Sequence, residues 1–147
     1  MEIIHSLQWL TERSLIEVYA YVIMPNHMHL IWKVLDNNGK ESPHGSLLKF
    51  TAHRFRKYLL EENPQELIQF EVQAPNKSHE FWQRDSLAIP LYNRWFILQK
   101  FTYLHNNPVA KHWRLASAPS AYRFSSAAFY ESGVDEFGFL KHLGDNF

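Results

Sequence analysis

Apolar and polar positions along this chain follow two different periods, and each marks a different element. From Glu2 to Arg13, Ile3, Ile4, Leu7 and Leu10 fall at helical spacing and predict an amphipathic helix. Glu17 to Met24 reads EVYAYVIM, a strand by composition. Pro25-Asn26 interrupts it, and from His27 the period is two. Met28, Leu30, Trp32 and Val34 form one apolar stripe, while His27, His29, Ile31 and Lys33 face the other way. The pair predicts an antiparallel hairpin. Asp36 to Gly45 is a loop, and Ser46 is the expected N-cap of a helix over Leu47–Glu62, with Leu48, Phe55, Leu59 and Leu60 among its apolar positions. Pro64 to Glu80 reads as an irregular or partly helical insertion, and Glu80 to Leu91 as an extended segment with a turn near Arg84-Asp85. Asn93 to Asn107 regains helical spacing through Trp95, Leu98, Phe101, Thr102 and His105, and Pro108 disfavours helix at Asn107. Trp113, Tyr122, Phe124, Phe129 and Tyr130 are expected aromatic anchors after it.

Composition narrows the class. At 147 residues, 46% hydrophobic and 16% aromatic, the chain can bury a core and is expected to form one domain over residues 1–147, with 131–147 a C-terminal tail. It has no cysteine, which excludes disulfides and thiolate metal sites and is compatible with a reducing cytoplasm. No run approaches the roughly 18 apolar residues of a membrane span, and the acid-bearing start does not read as a signal peptide. Fifteen Lys+Arg balance fifteen Asp+Glu, which counts mildly against a nucleic-acid binder. The charges are nevertheless uneven: Leu47 to Leu60 holds Lys49, His53, Arg54, Arg56 and Lys57 and no acid, while Glu61, Glu62, Glu66 and Glu71 follow.

The candidate chemistry starts with His27 and His29. Two same-face imidazoles on a strand are a preset pair of metal ligands, and they read equally as hydrogen-bonded or surface histidines. Tyr103 and Asn107 lie one helical turn apart. Asn107 offers an amide oxygen as a third, neutral ligand, and two imidazoles with an amide suit Mn²⁺ or, with substrate phosphate, Mg²⁺. Tyr103 offers a phenolic nucleophile, and it reads alternatively as an ordinary helix aromatic. The Lys49–Lys57 stretch is a phosphate-contacting face or a plain solvated one. Trp82 is a base-stacking residue or a core residue.

The segments YVIMPNHMHLIW, FWQRD, YLHNNPV and YRFSSA, in that order, resemble the single-strand DNA transposases of the HUH class, in particular the REP-associated tyrosine transposase group. The resemblance spans roughly Ile3 to Tyr130. It implies an α+β fold, a small antiparallel sheet with helices packed on its faces, related to ferredoxin-like and RNA-recognition folds. It implies Tyr103 as nucleophile and His27, His29 and Asn107 as ligands of Mg²⁺ or Mn²⁺. The implied reaction cleaves single-stranded DNA beside a hairpin, leaving a 5′-phosphotyrosine and a 3′-OH that can later rejoin strands. Lys49, Arg54, Arg56, Lys57, Trp82, Arg84, Lys111 and Arg114 become candidate DNA contacts, and His105 is read as non-catalytic. A bacterial cytoplasmic location, on the nucleoid when DNA is bound, is implied, and both monomer and homodimer are open. The chain departs from the group in two ways. Its net charge is zero, and Met1 lies almost at the first helix, so the first strand of the sheet is expected to be missing and a sheet edge exposed. Two other functions stay open: an inactive or domesticated hairpin-DNA binder of the same fold, and a metal-dependent hydrolase of nucleotides or small phosphoesters.

Overall fold

The computed structural model describes residues 1–83 and 88–146. Helix α1 (Glu2–Glu12) forms where the apolar spacing predicts it and buries Ile4, Leu7 and Leu10. Strand β1 (Ile16–Ile23) is followed by antiparallel β2 (Met28–Val34). The hairpin is closed by the Met24 N–H donating to the His27 carbonyl at 2.8 Å.

The register of this hairpin jumps at Tyr19: Val18 pairs with Trp32, but Ala20 pairs with Ile31. One extra residue on β1 is a β-bulge, and it switches the face addressed by the residues after it. Ile16, Val18 and Tyr21 therefore share one cluster with Ile4, Leu7, Leu10 and Leu47, against which Met28, Leu30 and Trp32 pack. Tyr19, Ala20, Val22, Met24 and Ile31 fill a second cluster with Ile97 and Leu104. Both faces of β1 are thus buried, which is why its sequence is apolar without alternation.

Helix α2 (Pro43–Glu62) lies beside α1 over the first cluster. It begins earlier than expected. Ser42, not Ser46, is the N-cap, its Oγ accepting from the Gly45 N–H at 3.1 Å, because Pro43 is preorganised for the first helical position. Ser46 is buried inside the first turns and donates to Glu41 at 2.6 Å. The stretch expected to be irregular or partly helical contains a short helix α3 (Pro64–Leu67), capped by Asn63, and an unexpected second hairpin, β3 (Glu71–Ala74) with β4 (Lys77–His79). Its turn, Pro75-Asn76, repeats the dipeptide of the first hairpin, but the strands are too short and polar to show a period. Phe81 and Trp82 lie against Phe55 of α2, and the predicted turn at Arg84-Asp85 falls outside the described residues. Helix α4 (Arg94–Asn106) is capped by Asn93 and packs on the second cluster through Ile97 and Leu104. Helix α5 (Ala127–Ser132) ends at Gly133, whose φ of 78° is left-handed.

The described architecture is α+β, with two small antiparallel sheets and helices on both faces of the larger one. The far edge of β1 is not exposed. The Ile23 N–H donates to the Phe124 carbonyl at 2.8 Å, Ser126 N–H to Tyr21 O at 3.0 Å, and Lys141 N–H to Val18 O at 2.9 Å. The Tyr122 and Tyr130 hydroxyls donate to the carbonyls of Ile23 and Tyr19, each at 2.6 Å. Residues 122–141 thus cover this edge of the sheet. The outer edge of β2 makes no hydrogen bond among the described residues. No helix of the described residues is long and apolar enough to cross a membrane.

Ser126 meets both the N–H and the carbonyl of Tyr21. It is almost fully buried, its Oγ accepts from the Tyr21 N–H at 2.9 Å, and no buried side-chain polar atom among the described residues lacks a partner. Ser126→Ala should cost about 1–3 kcal/mol by leaving the Tyr21 amide unsatisfied. Denaturant unfolding measures it, and a change inside about 0.5 kcal/mol, typical of an inconsequential substitution, contradicts the clamp.

Candidate metal and nucleophile site

The hairpin turn delivers His27 and His29 to the sheet face covered by α4. Their rings stand edge-to-face, with centroids 5.2 Å apart. Asn26 Oδ1 lies 2.6 Å from His27 Nδ1. An amide oxygen only accepts, so Nδ1 carries the hydrogen and Nε2 keeps the lone pair a metal needs. That lone pair faces Asn107, whose Nδ2 is 3.4 Å from His27 Nε2. Rotating the carboxamide by half a turn brings Oδ1 to the same place.

Backbone geometry remains helical through Asn107, with φ −54° and ψ −46°. The one-turn relation between Tyr103 and Asn107 therefore survives beyond the last residue of α4. Asn107 is only 8% exposed, whereas Tyr103 is 62% exposed. The Tyr103 ring meets the edge of His29 at 5.6 Å between centroids, and its hydroxyl makes no hydrogen bond among the described residues. A solvent-facing phenol thus stands beside the histidine pair with its oxygen free.

Electrostatics keep the pair neutral. Burial lowers the pKa of His27, and His112 adds to the shift. Burial also lowers that of His29, followed by the charges of His27 and Lys100. Neutral imidazole is the ligand form, so protons compete weakly for these nitrogens near pH 7. The donor set of two imidazoles and one carboxamide fits Mn²⁺ or Mg²⁺ with open positions for phosphate oxygens. Among the described residues no group of three His, Asp or Glu is placed to hold a metal, so a metal held here would need the Asn107 amide as third donor.

The other expected contacts divide. Lys111 and Arg114 are exposed on the turn after α4, and between them Trp113 packs 5.8 Å from the His27 ring. Arg114 holds a left-handed φ of 47°, unusual for a residue with a side chain. Lys49, Arg54, Arg56 and Lys57 are on α2, over the opposite face of the sheet from the histidines. Lys49 pairs with Glu41 at 3.5 Å and Arg54 with Glu2 at 3.0 Å, so acids distant in sequence offset part of the basic stretch. Arg56 reaches His79 Nδ1 at 3.4 Å. The Trp82 indole donates to Thr51 Oγ1 at 2.8 Å, which ties it to α2. Arg84 lies outside the described residues.

Sequence reasoning missed the orienting role of Asn26, whose signal was its place directly before His27; Trp113, expected as an aromatic anchor, packs on the second cluster beside His27. Sequence reasoning also missed what His105 does. That side chain is buried, shares a 2.6 Å hydrogen bond with Ser126 Oγ, and contacts Phe101 at 4.3 Å between centroids. It fastens α4 to the segment that covers β1. Comparison of the chain with protein-family models, curated proteins and solved structures finds no match.

Two outcomes follow from this geometry. His27→Ala and His29→Ala should each abolish Mn²⁺ binding in calorimetry, and Asn26→Ala should weaken it about 10-fold through loss of ring orientation; unchanged titrations would remove the ligand assignment. Burial also pushes the His105 pKa from 6.5 down to about 4. The unfolded chain takes up that proton first, so stability is full above pH 6.5 and is lost as pH falls toward 4. The loss is on the order of 3 kcal/mol, and unfolding curves of His105→Gln across this range should be correspondingly flatter.

Proposed function

We propose that this chain is a metal-dependent, tyrosine-nucleophile endonuclease and strand transferase of the HUH class, acting on single-stranded DNA beside hairpins. One observation carries the reading: His27 and His29 from the hairpin meet Asn107 and Tyr103 from the α4 end, although the two groups are far apart in sequence. Chance histidines on a strand have no reason to meet an exposed tyrosine and a buried amide at helical spacing. The small antiparallel sheet flanked by helices is compatible with a ferredoxin-like HUH core.

In this reading Tyr103 Oη attacks the scissile phosphorus, the P–O3′ bond breaks, and O3′ leaves, taking a proton from solvent to become a 3′-OH. The phenolic proton goes to solvent, and the 5′ end stays on Tyr103 as a phosphodiester. The ester conserves the bond energy, so a later 3′-OH can attack it and restore Tyr103 without ATP. His27, His29 and Asn107 would hold a Mg²⁺ or Mn²⁺ ion, with Asn26 orienting the first, and such an ion would supply charge stabilisation at the phosphate. Lys111 and Arg114, beside the site, offer charge to the flanking phosphates.

Incubation with end-labelled hairpin oligonucleotides and Mn²⁺ should yield a covalent protein–DNA adduct with the wild type and none with Tyr103→Phe. Equal adduct in both proteins rejects the nucleophile. Hairpin binding without any adduct in the wild type points instead to a domesticated DNA-binding protein of the same fold.

A further inference from the structure

Resting on that function, we propose that the outer face of α4 is a stacking track for unpaired nucleotides, with Trp95 and Tyr92 as its platforms, carrying the single strand next to the phosphate that Tyr103 attacks. Tyr92 is 89% exposed and Trp95 69%, the two most exposed aromatic residues described. Trp95 precedes Tyr103 along α4 by eight residues or about 12 Å of axis, the reach of roughly three or four nucleotides at about 3.4 Å each, and Tyr92 lies just before the helix's N-cap, Asn93. Phe96 follows Trp95, its ring 6.2 Å from that of Trp95 and 5.6 Å from Lys100 Nζ. Aromatic faces interleaved with cations are what unpaired bases and their phosphates bind, without demand for sequence.

Charge singles out nucleic acid as the occupant. Residues 86–130 contain no Asp or Glu, while Arg94, Lys100, Lys111, Arg114 and Arg123 fall within them. Only Arg123 of these has an ion pair among the described residues, with Glu136. A neutral total therefore conceals an acid-free, basic and aromatic stretch through α4, and the nearest acid the chain brings to this helix is Asp145, which follows Leu143 and Gly144 at the end of α4 that carries Arg94. Lys100 links track and site, since its charge already acts on His29. A second protein copy seated here would bring this positive face against itself, which disfavours it.

Fluorescence anisotropy with a short labelled single-stranded DNA tests the track without requiring cleavage. Trp95→Ala should weaken single-strand binding about 5- to 100-fold and Tyr92→Ala by a smaller factor, while Trp95→Phe keeps most of it and blunt-duplex binding is unchanged. Both positions are exposed, and thermal melts should show unaltered folding. Wild-type single-strand affinity in both alanine variants overturns the proposal. If such variants also still form the Tyr103 adduct normally, the track is wrong and the function stands. No single-strand binding by the wild type overturns both. Sedimentation showing a wild-type dimer that Trp95→Ala splits also overturns it, because the face then seats a second copy.

Discussion

Strand β1 has one partner strand but two hydrogen-bonded edges, and the site depends on the second. A strand buried on both faces cannot leave its backbone groups unpaired. Those of Val18, Tyr19, Tyr21 and Ile23 are met by Lys141, Tyr130, Ser126, Phe124 and Tyr122. Residues that satisfy the edge also grip α4, since Ser126 bonds His105 and the Tyr130 ring meets Phe101 at 4.5 Å between centroids. The last quarter of the chain thus sets the distance between the helix carrying Tyr103 and the hairpin carrying the histidines.

The site is neutral at its centre and cationic around it. Burial keeps His27 and His29 uncharged, as a ligand pair requires, while Lys100, Lys111 and Arg114 carry charge beside them without ion pairs among the described residues. Neutral imidazoles keep lone pairs open to a metal, and unpaired cations beside them give a positive potential that favours anionic ligands. On α2 the situation is reversed, for Glu2 and Glu41 hold two of the basic side chains that looked most available. Local charge density in sequence and available charge in space are different quantities.

Much of the frame was legible in the chain itself. The helix at Glu2–Glu12, the hairpin through Pro25-Asn26, the helix before Pro108 and the same-face placement of the two histidines all follow from short-range periods and breakers. So does the pairing of Tyr103 with Asn107, because backbone geometry one turn apart is local. The start of α2 was misread because Ser42-Pro43 outweighs Ser46, and the β3–β4 hairpin escaped notice because four- and three-residue strands carry almost no periodic signal.

What the sequence determined by itself, then, was a set of local elements and the donor types they present. Only the tertiary structure decided that these residues meet, that helices cover both faces of β1 on either side of the bulge at Tyr19, and that residues 122–141 close its open edge. The physical reason is reach: periods and caps act over a few residues, while Asn107 facing His27, Arg54 facing Glu2 and Ser126 bridging Tyr21 and His105 are contacts between segments that only packing brings together.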